Sequence, residues 1–143
     1  MNVESILRGK GRSVATIGPG ETISEAVLAL RARNIGALVV SADGESVDGI
    51  LSERDLVHAL ADRGEEFLSL RVEAVMTRRV MTCAPSDSVS ELMAQMTHHR
   101  IRHLPVLCEG RLCGIVSIGD LVKSRLDEIE DEARSLRSFI AGA

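Results

Sequence analysis

One arrangement of a serine and an aspartate occurs twice in the chain. Residues 49–57 read GILSERDLV and residues 114–122 read GIVSIGDLV, and six of the nine positions are identical. A serine hydroxyl both donates and accepts hydrogen bonds, and a carboxylate offers two acceptor oxygens, enough to take both vicinal hydroxyls of a ribose. The duplicated Ser-x-x-Asp therefore predicts either two ligand sites or two helix caps.

The capping alternative rests on a common pattern, because Ser-x-x-Asp before an apolar stretch resembles a capping box. Three features favour ligand binding. The acid is Asp in both copies, whereas the capping box usually carries the longer Glu or Gln. Each motif follows a predicted strand, where free helix amides suit an anion or a hydroxyl. A cap explains the serine, while a ribose explains the serine and the aspartate together.

Much of the remaining chain is also duplicated. A shift of 66 residues aligns 14–40 with 80–106, including Thr16 with Thr82 and Pro19 with Pro85, and the shift becomes 65 at the second glycine-led motif. Two copies are too few for a solenoid. The repeat predicts two similar units packed face to face about a pseudo-twofold axis.

Each unit carries the local signals of a β-α-β-β-α order. Extended segments are predicted at Val14–Ile17 and Val80–Cys83. The other signals are two helix caps, two hairpin turns and two further helix starts: Thr22 and Ser88, Asp43-Gly44 and Glu109-Gly110, Ser52 and Ser117. The regular alternation of helix and strand predicts the α/β (α+β) class.

The chain divides into residues 1–61, with a lead-in helix and the first repeat, residues 62–125, with a linker and the second repeat, and an amphipathic helix at 126–143. Spacings of three and four separate the apolar residues of that helix: Leu126, Ile129, Ala133, Leu136 and Ile140. The stripe either docks on its own domain or pairs with a second copy, and we favour a homodimer. Two heptads do not hold a coiled coil unaided.

Composition excludes several classes of function. The net charge is -4, no basic block is present, and Phe67 and Phe139 are the only Phe, Trp or Tyr residues, which argues against nucleic acid as a partner. At 45% hydrophobic residues the chain can build a core, yet no apolar run approaches the length of a membrane span or a signal peptide. We expect a soluble, cytoplasmic protein.

Cysteine and histidine spacing gives no metal site. The chain has three cysteines and no CxxC, so we expect small buried core residues rather than a disulfide framework: Cys83, Cys108 and Cys113. No Cys or carboxylate joins the histidines at ligand spacing, and His98 and His99 fit a solvated helix end. The motifs G-x-S-x-G, HExxH, the P-loop and G-x-G-x-x-G after a strand are all missing, so we expect no enzyme.

The combination of these features is specific. The duplicated β-α-β-β-α order, RIRHLPVL before a hairpin, and G-h-x-S-x-x-D at 49–55 and 114–120 resemble a tandem pair of cystathionine-β-synthase (CBS) domains, the Bateman module, with no catalytic domain attached. The resemblance implies a regulatory module, usually a homodimer, that signals to a partner protein. Its two clefts would bind adenosine compounds such as AMP, ADP, ATP, NAD(H) or S-adenosylmethionine. The alternative is a structural homodimer with no nucleotide ligand.

The resemblance also assigns roles to residues. Asp55 and Asp120 would hold ribose hydroxyls, supported by the two serines, and the segment before each first strand would line the cleft of the other repeat. Arg102 and His103 would supply cations for phosphate, unless they are merely solvated or internally bonded. The predicted ligand-binding residues are Lys10, Arg12, Val14, Ser52, Arg54, Asp55, Thr77, Arg78, Val80, Arg102, His103, Ser117, Ile118 and Asp120.

The two predicted clefts should not be equivalent. The first repeat has Gly36-Ala37 where the second has Arg102-His103, and the second motif has Ile118-Gly119 where the first has Glu53-Arg54. We therefore expect one cleft to bind a nucleotide and the other to be weak, empty, or occupied by another part of a longer dinucleotide.

Overall fold

The computed structural model describes residues 1–142, which form two β-α-β-β-α repeats of the mixed α/β class and a long C-terminal helix. The elements are α1 (Val3–Lys10), β1 (Thr16–Ile17), α2 (Ile23–Arg33), β2 (Ala37–Val40), β3 (Gly49–Ser52), α3 (Glu53–Arg63), a 3₁₀ helix (Gly64–Ser69), α4 (Val72–Val75), α5 (Val89–His99), β4 (His103–Cys108), β5 (Arg111–Ser117) and α6 (Ile118–Gly142). The predicted fold class is confirmed.

The first repeat forms a three-stranded sheet. Helix α2 carries the chain from β1 to the parallel strand β2, and β2 pairs antiparallel with β3. Thr22 caps α2 as predicted, since its side chain accepts a hydrogen bond from the Glu25 amide at 3.2 Å. The first strand is shorter than the predicted Val14–Ile17 and comprises only Thr16 and Ile17.

The second repeat lacks the strand predicted at Val80–Cys83. Only Cys83 pairs there, in a parallel bridge to Val106, with its amide donating to the Pro105 carbonyl at 3.0 Å. Extension of this ladder would require an amide at position 105 to donate to Met81, and proline has none. In the first repeat the equivalent amide, that of Val39, donates to the Ala15 carbonyl at 3.2 Å.

Each lead-in segment packs into the core of the opposite repeat. Val3 and Leu7 of α1 are buried in the core of the second repeat, whereas Phe67 and Val72 of the predicted linker are buried in the core of the first. The segment between the repeats is thus part of a core and not a free connector. The division into residues 1–61, 62–125 and 126–143 stays a prediction about sequence units, because packing crosses it.

Backbone hydrogen bonds hold each lead-in segment against the opposite repeat, at equivalent positions in the two repeats. The Val3 amide donates to the Asp87 carbonyl at 3.1 Å, and the Val72 amide donates to the Glu21 carbonyl at 2.8 Å. Isolated antiparallel bridges accompany them, one from Asn2 to the α5 cap and one from Arg71 to the α2 cap. Such matched contacts are what a pseudo-twofold relation between the repeats requires.

The prediction that all three cysteines are unpaired core residues is wrong. Cys108 and Cys113 form a disulfide across the β4–β5 hairpin, with Cα atoms 5.8 Å apart. The strand register shifts after Val106, which leaves Cys113 as the extra residue of a β-bulge and brings it to Cys108. Cys83 is the buried free cysteine, and burial raises the pKa of its thiol to about 12.

Helix α6 merges two predicted elements. The helix predicted to begin at Ser117 and the helix predicted at 126–143 form one continuous element that ends at Gly142, while Ala143 lies outside the described residues. Leu121 is buried against the second repeat, but the apolar stripe beyond it is exposed. Docking of the stripe on its own domain is therefore ruled out. Over the described chain, each helix is too short or too polar to cross a membrane.

Candidate functional site

Both Ser-x-x-Asp motifs form reciprocal helix caps. The Ser52 amide donates to Asp55 Oδ2 at 2.9 Å and the Asp55 amide donates to Ser52 Oγ at 3.4 Å. The Ser117 and Asp120 pair repeats this arrangement at 2.9 and 3.1 Å. Asp in place of the longer Glu or Gln therefore does not count against capping, because both aspartates reach the serine amide. Each cap uses only Oδ2 of the aspartate, so capping and ligand binding can coexist.

The glycine that opens each motif permits a close approach by a lead-in segment. A Cβ at Gly49 would lie 2.8 Å from the Thr77 carbonyl oxygen, and one at Gly114 would lie 2.7 Å from Leu7 Cδ2. The Ile50 and Thr77 backbones exchange hydrogen bonds of 3.0 and 2.9 Å at this point. The glycine thus lets Thr77 reach the first Ser-x-x-Asp motif.

A cavity of about 600 Å³ opens beside Asp55. Asp55 and Thr77 both line this cavity, and Thr77 Oγ1 donates to Asp55 Oδ1 at 3.0 Å. The volume of the cavity lies within the range of small-molecule sites. The lining residues are Gly36, Ile50, Ser52, Glu53, Arg54, Asp55, Val57, Thr77, Arg79, Val80, Met81, His99, Arg100, Ile101, Arg102 and His103.

The charged side chains of the cavity favour an anion. Four arginines outnumber two acids: Arg54, Arg79, Arg100 and Arg102 against Glu53 and Asp55. Arg54 donates to the Arg100 carbonyl at 3.0 Å. Within residues 1–142 the other three guanidinium groups make no ion pair or hydrogen bond. Unpaired guanidinium groups in a cleft are suited to phosphate or carboxylate.

Burial disfavours the charged form that the sequence predicted for His103. Burial lowers the pKa of its imidazole below the usual 6.5, and the nearby charge of Glu53 only partly opposes this effect. At neutral pH the ring is therefore uncharged and can both donate and accept a hydrogen bond. A Cβ at Gly36 would lie 2.7 Å from Glu53 Oε1 and 3.3 Å from His103 Cε1, so the missing side chain makes room for both.

On the side of Asp120, a lysine of the same chain takes the place that Thr77 has beside Asp55. Lys10 Nζ donates to Asp120 Oδ2 at 2.7 Å and to the Ile115 carbonyl at 2.9 Å. Burial raises the pKa of the Asp120 carboxyl, but the hydrogen bonds from Lys10 and Ser117 outweigh burial and lower it overall. The Lys10 ammonium group therefore acts as the counter-ion of Asp120 in the second motif.

The structure brings half of the predicted site residues to the cavity: Ser52, Arg54, Asp55, Thr77, Val80, Arg102 and His103. Ile118 lines an adjoining hollow of about 240 Å³. The remaining residues do not line either space: Lys10, Arg12, Val14, Arg78, Ser117 and Asp120. Arg12 pairs with Glu4, and Arg78 donates to the Glu73 carbonyl at 3.1 Å. Their roles in ligand binding stay predictions.

Three charged residues of the cavity were missed by sequence reasoning. Arg79 follows Arg78 directly, and only the course of the backbone decides which one faces the cavity. Arg100 follows α5 in the left-handed conformation, with φ of 55°, two residues before Arg102. Glu53 was noted only as a difference between the repeats. In the described part of the chain, no three His, Cys, Asp or Glu side chains converge as metal ligands.

Comparison with known proteins gives consistent matches. The sequence model of the CBS domain matches residues 6–62 and 72–127. The CBS domain-containing protein CBSX3, mitochondrial, of Arabidopsis thaliana is 32% identical over 148 residues, which is 98% of this chain and 72% of that protein.

Solved structures also match. A CBS-domain containing protein from Agrobacterium tumefaciens is 48% identical, with a TM-score of 0.84 over 87% of this chain and 99% of its own. The CBS domain pair of protein MJ0100, solved in complex with 5′-methylthioadenosine and S-adenosyl-L-methionine, is 28% identical, with a TM-score of 0.76 over 88% and 98%.

Proposed function

The chain belongs to the CBS domain family, as a tandem pair of CBS domains, and we propose that it is a regulatory module that binds an adenosine nucleotide beside Asp55. Binding would shift the conformation or assembly of the module, and a partner protein would read this shift. Such signalling requires that the nucleotide bind one state more tightly than the other.

One observation carries the proposal: the same cavity is lined by hydroxyl-binding groups and by unpaired guanidinium groups. A ribose hydroxyl can replace the Thr77 hydroxyl on Asp55 Oδ1 without leaving a charge unpaired. Arg79, Arg100 and Arg102 can then take a phosphate group. The adenosyl compounds bound to the protein MJ0100 support this class of ligand.

Phosphate-bearing ligands fit these charges best. S-adenosylmethionine carries a sulfonium cation where a nucleotide carries phosphate, so four arginines against two acids favour AMP, ADP, ATP or NAD(H) over it. We further propose one nucleotide per chain. Ser117 and Asp120 line neither space, and Asp120 already pairs with the Lys10 ammonium group, so the second motif offers no comparable cavity for a nucleotide.

The alternative is a structural protein in which both motifs act only as caps. It draws support from the complete capping boxes, which satisfy Ser52 and Asp55 without any ligand. Under this alternative no adenosine compound raises the thermal stability of the chain.

A thermal-shift panel followed by calorimetric titration separates the two. The panel contains AMP, ADP, ATP, NAD, NADH, S-adenosylmethionine and GMP, since a ligand of the native state raises its stability by mass action. Asp55→Ala and Asp120→Ala form a matched pair, because each loses the hydrogen bond from the serine amide to the aspartate, which contributes about 1 kcal/mol. Only Asp55→Ala should also lose charge-assisted hydrogen bonds to the ligand, about 1.5–3 kcal/mol or roughly 10- to 100-fold in affinity.

The outcomes are distinct. Stabilisation by an adenosine nucleotide that is lost in Asp55→Ala and kept in Asp120→Ala supports the proposal. Stabilisation lost only in Asp120→Ala would move the site to the second motif. If no compound stabilises the ligand-free wild-type chain, both motifs return to capping alone.

A further inference from the structure

A smaller hollow adjoins the cavity beside Asp55. The volume of the hollow is about 240 Å³, and four of its residues also line the cavity: Arg54, Arg100, Ile101 and Arg102. The other residues of the hollow are uncharged: Met96, Thr97 and Ile118. The hollow thus has three arginines and no acid, whereas the cavity also has Glu53 and Asp55 on its wall. The charges of the hollow therefore favour an anion even more than those of the cavity.

Arg100 occupies a position at which local structure does not favour arginine. Helices α2 and α5 both end in a Schellman motif, in which the amide after the cap residue donates to the carbonyl five residues earlier, at 3.1 Å in α2 and 3.0 Å in α5. The cap residue is left-handed in both, Asn34 with φ of 52° and Arg100 with φ of 55°. Glycine and asparagine are the residues that usually adopt this conformation. The helix end therefore explains Asn34 but not Arg100.

The backbone of Arg100 is held by the protein, and its side chain is not. The Arg54 guanidinium group of the first repeat donates to the Arg100 carbonyl at 3.0 Å. The Arg100 guanidinium group is exposed and makes no ion pair or hydrogen bond within residues 1–142. An unfavourable backbone conformation at the wall of a cavity is a reason to look for a functional role. Since no internal partner accounts for this side chain, that role points to a ligand.

We propose that Arg100 binds the second phosphate of the nucleotide and so selects ligands with a diphosphate or longer chain over AMP. This inference rests on the proposed function, since it requires a nucleotide in the cavity. Arg79, which lines only the cavity, is left for the first phosphate. The chain then extends toward the hollow, where the planar guanidinium group of Arg100 can form two parallel hydrogen bonds with the next phosphate.

Calorimetric titration of the full chain with AMP, ADP, ATP and NAD tests this selection. Wild type should bind ADP roughly 10- to 100-fold more tightly than AMP, because a charge-assisted contact contributes at this level. Arg100→Asn should lose the preference for ADP and keep the wild-type affinity for AMP. The ratio of ATP to NAD affinity identifies whether the chain continues into a further phosphate or into a second nucleoside.

Arg33→Asn is the matched control. It removes an exposed arginine from the end of α2 with the same change in net charge, and Arg33 lines neither the cavity nor the hollow. Its nucleotide affinities should equal those of wild type. Asparagine suits the left-handed turn, as Asn34 shows in the first repeat, so Arg100→Asn should keep the melting temperature of the ligand-free wild-type chain.

The outcomes separate this inference from the proposed function. Three results overturn the role of Arg100 and leave the proposed function in place: equal affinities of wild type for AMP and ADP, an undiminished preference for ADP in Arg100→Asn, or equal losses of AMP and ADP affinity in that variant. If no adenosine compound binds wild type, the proposed function fails and this inference fails with it.

Discussion

Replacement of Lys10 by Met tests the idea that this side chain closes the second motif as a counter-ion. The substitution keeps most of the apolar stem but removes the ammonium group that donates to Asp120 at 2.7 Å and to the Ile115 carbonyl at 2.9 Å. Lys123→Met is the matched control, because Lys123 is exposed on α6 and makes no ion pair within residues 1–142.

The size of the effect follows from the contact. A hydrogen bond between charged groups contributes about 1.5–3 kcal/mol. The Lys10 and Asp120 side chains are 34% and 26% exposed, so solvent screening reduces the expected loss to about 1–2 kcal/mol. In a chain of this size such a loss lowers the melting temperature by roughly 3 to 8 °C.

The pH dependence identifies the partner. Because the pKa of Asp120 lies below 3.8 in the folded chain, its contribution to stability is present above that value and is lost as the pH falls through the folded pKa. Urea unfolding should therefore give the same gap between wild type and Lys10→Met at pH 7 and pH 5, and a smaller gap at pH 3. Nucleotide affinity should not change, because Lys10 does not line the cavity.

Two results would contradict a counter-ion role for Lys10. Equal stability of wild type and Lys10→Met at pH 7 would mean that the ion pair contributes nothing. A gap that persists undiminished at pH 3 would mean that Lys10 acts through packing or through the Ile115 carbonyl and not through Asp120.

Three further predictions concern other parts of the molecule. Because the pKa of His103 is lowered in the folded chain, the unfolded chain binds more protons, and stability should fall as the pH drops below 6.5. In urea unfolding, His103→Gln should therefore lose less stability than wild type between pH 7.5 and pH 5.5. An equal loss in both proteins would contradict this prediction. Reduction of the Cys108–Cys113 bond should lower the free energy of unfolding by about 2 kcal/mol, a small loss because the bond closes a short loop. Thiol titration of the denatured chain should count one free cysteine before reduction and three after it. Gly49→Ala should destabilise the folded chain by about 1–3 kcal/mol, because its Cβ would press on Met76 and Thr77. Gly9→Ala on α1 is the control and should not destabilise the chain, because the space around Gly9 is open. Similar melting temperatures for both variants would contradict the close approach at Gly49.

Duplication made most of the fold predictable from the sequence. Two copies of each cap, hairpin and glycine-led motif reinforce one another, and Thr22 and Ser88 cap their helices as predicted. The prediction of a strand at Val80–Cys83 was wrong, because Pro105 in the neighbouring strand β4 has no amide to donate to this segment. Local patterns carry no information about such distant partners.

The candidate site was only partly predictable for a related reason. Asp55 and Thr77 could be paired through the resemblance, and the structure holds them 3.0 Å apart. The charge of His103 depends on burial, which comes from the surrounding fold and not from the residue type. The disulfide likewise depends on a bulge that moves Cys113 by one position, and a bulge leaves little trace in the spacing.

The exchange of lead-in segments has a consequence for synthesis. Helix α1 leaves the ribosome before the strands of both repeats, yet Val3 and Leu7 pack in one core with residues from Cys83 to Leu121. The first repeat, by contrast, has its complete core once Val72 and Met76 have emerged. Folding during translation should therefore complete the core of the first repeat before α1 can pack against the second repeat.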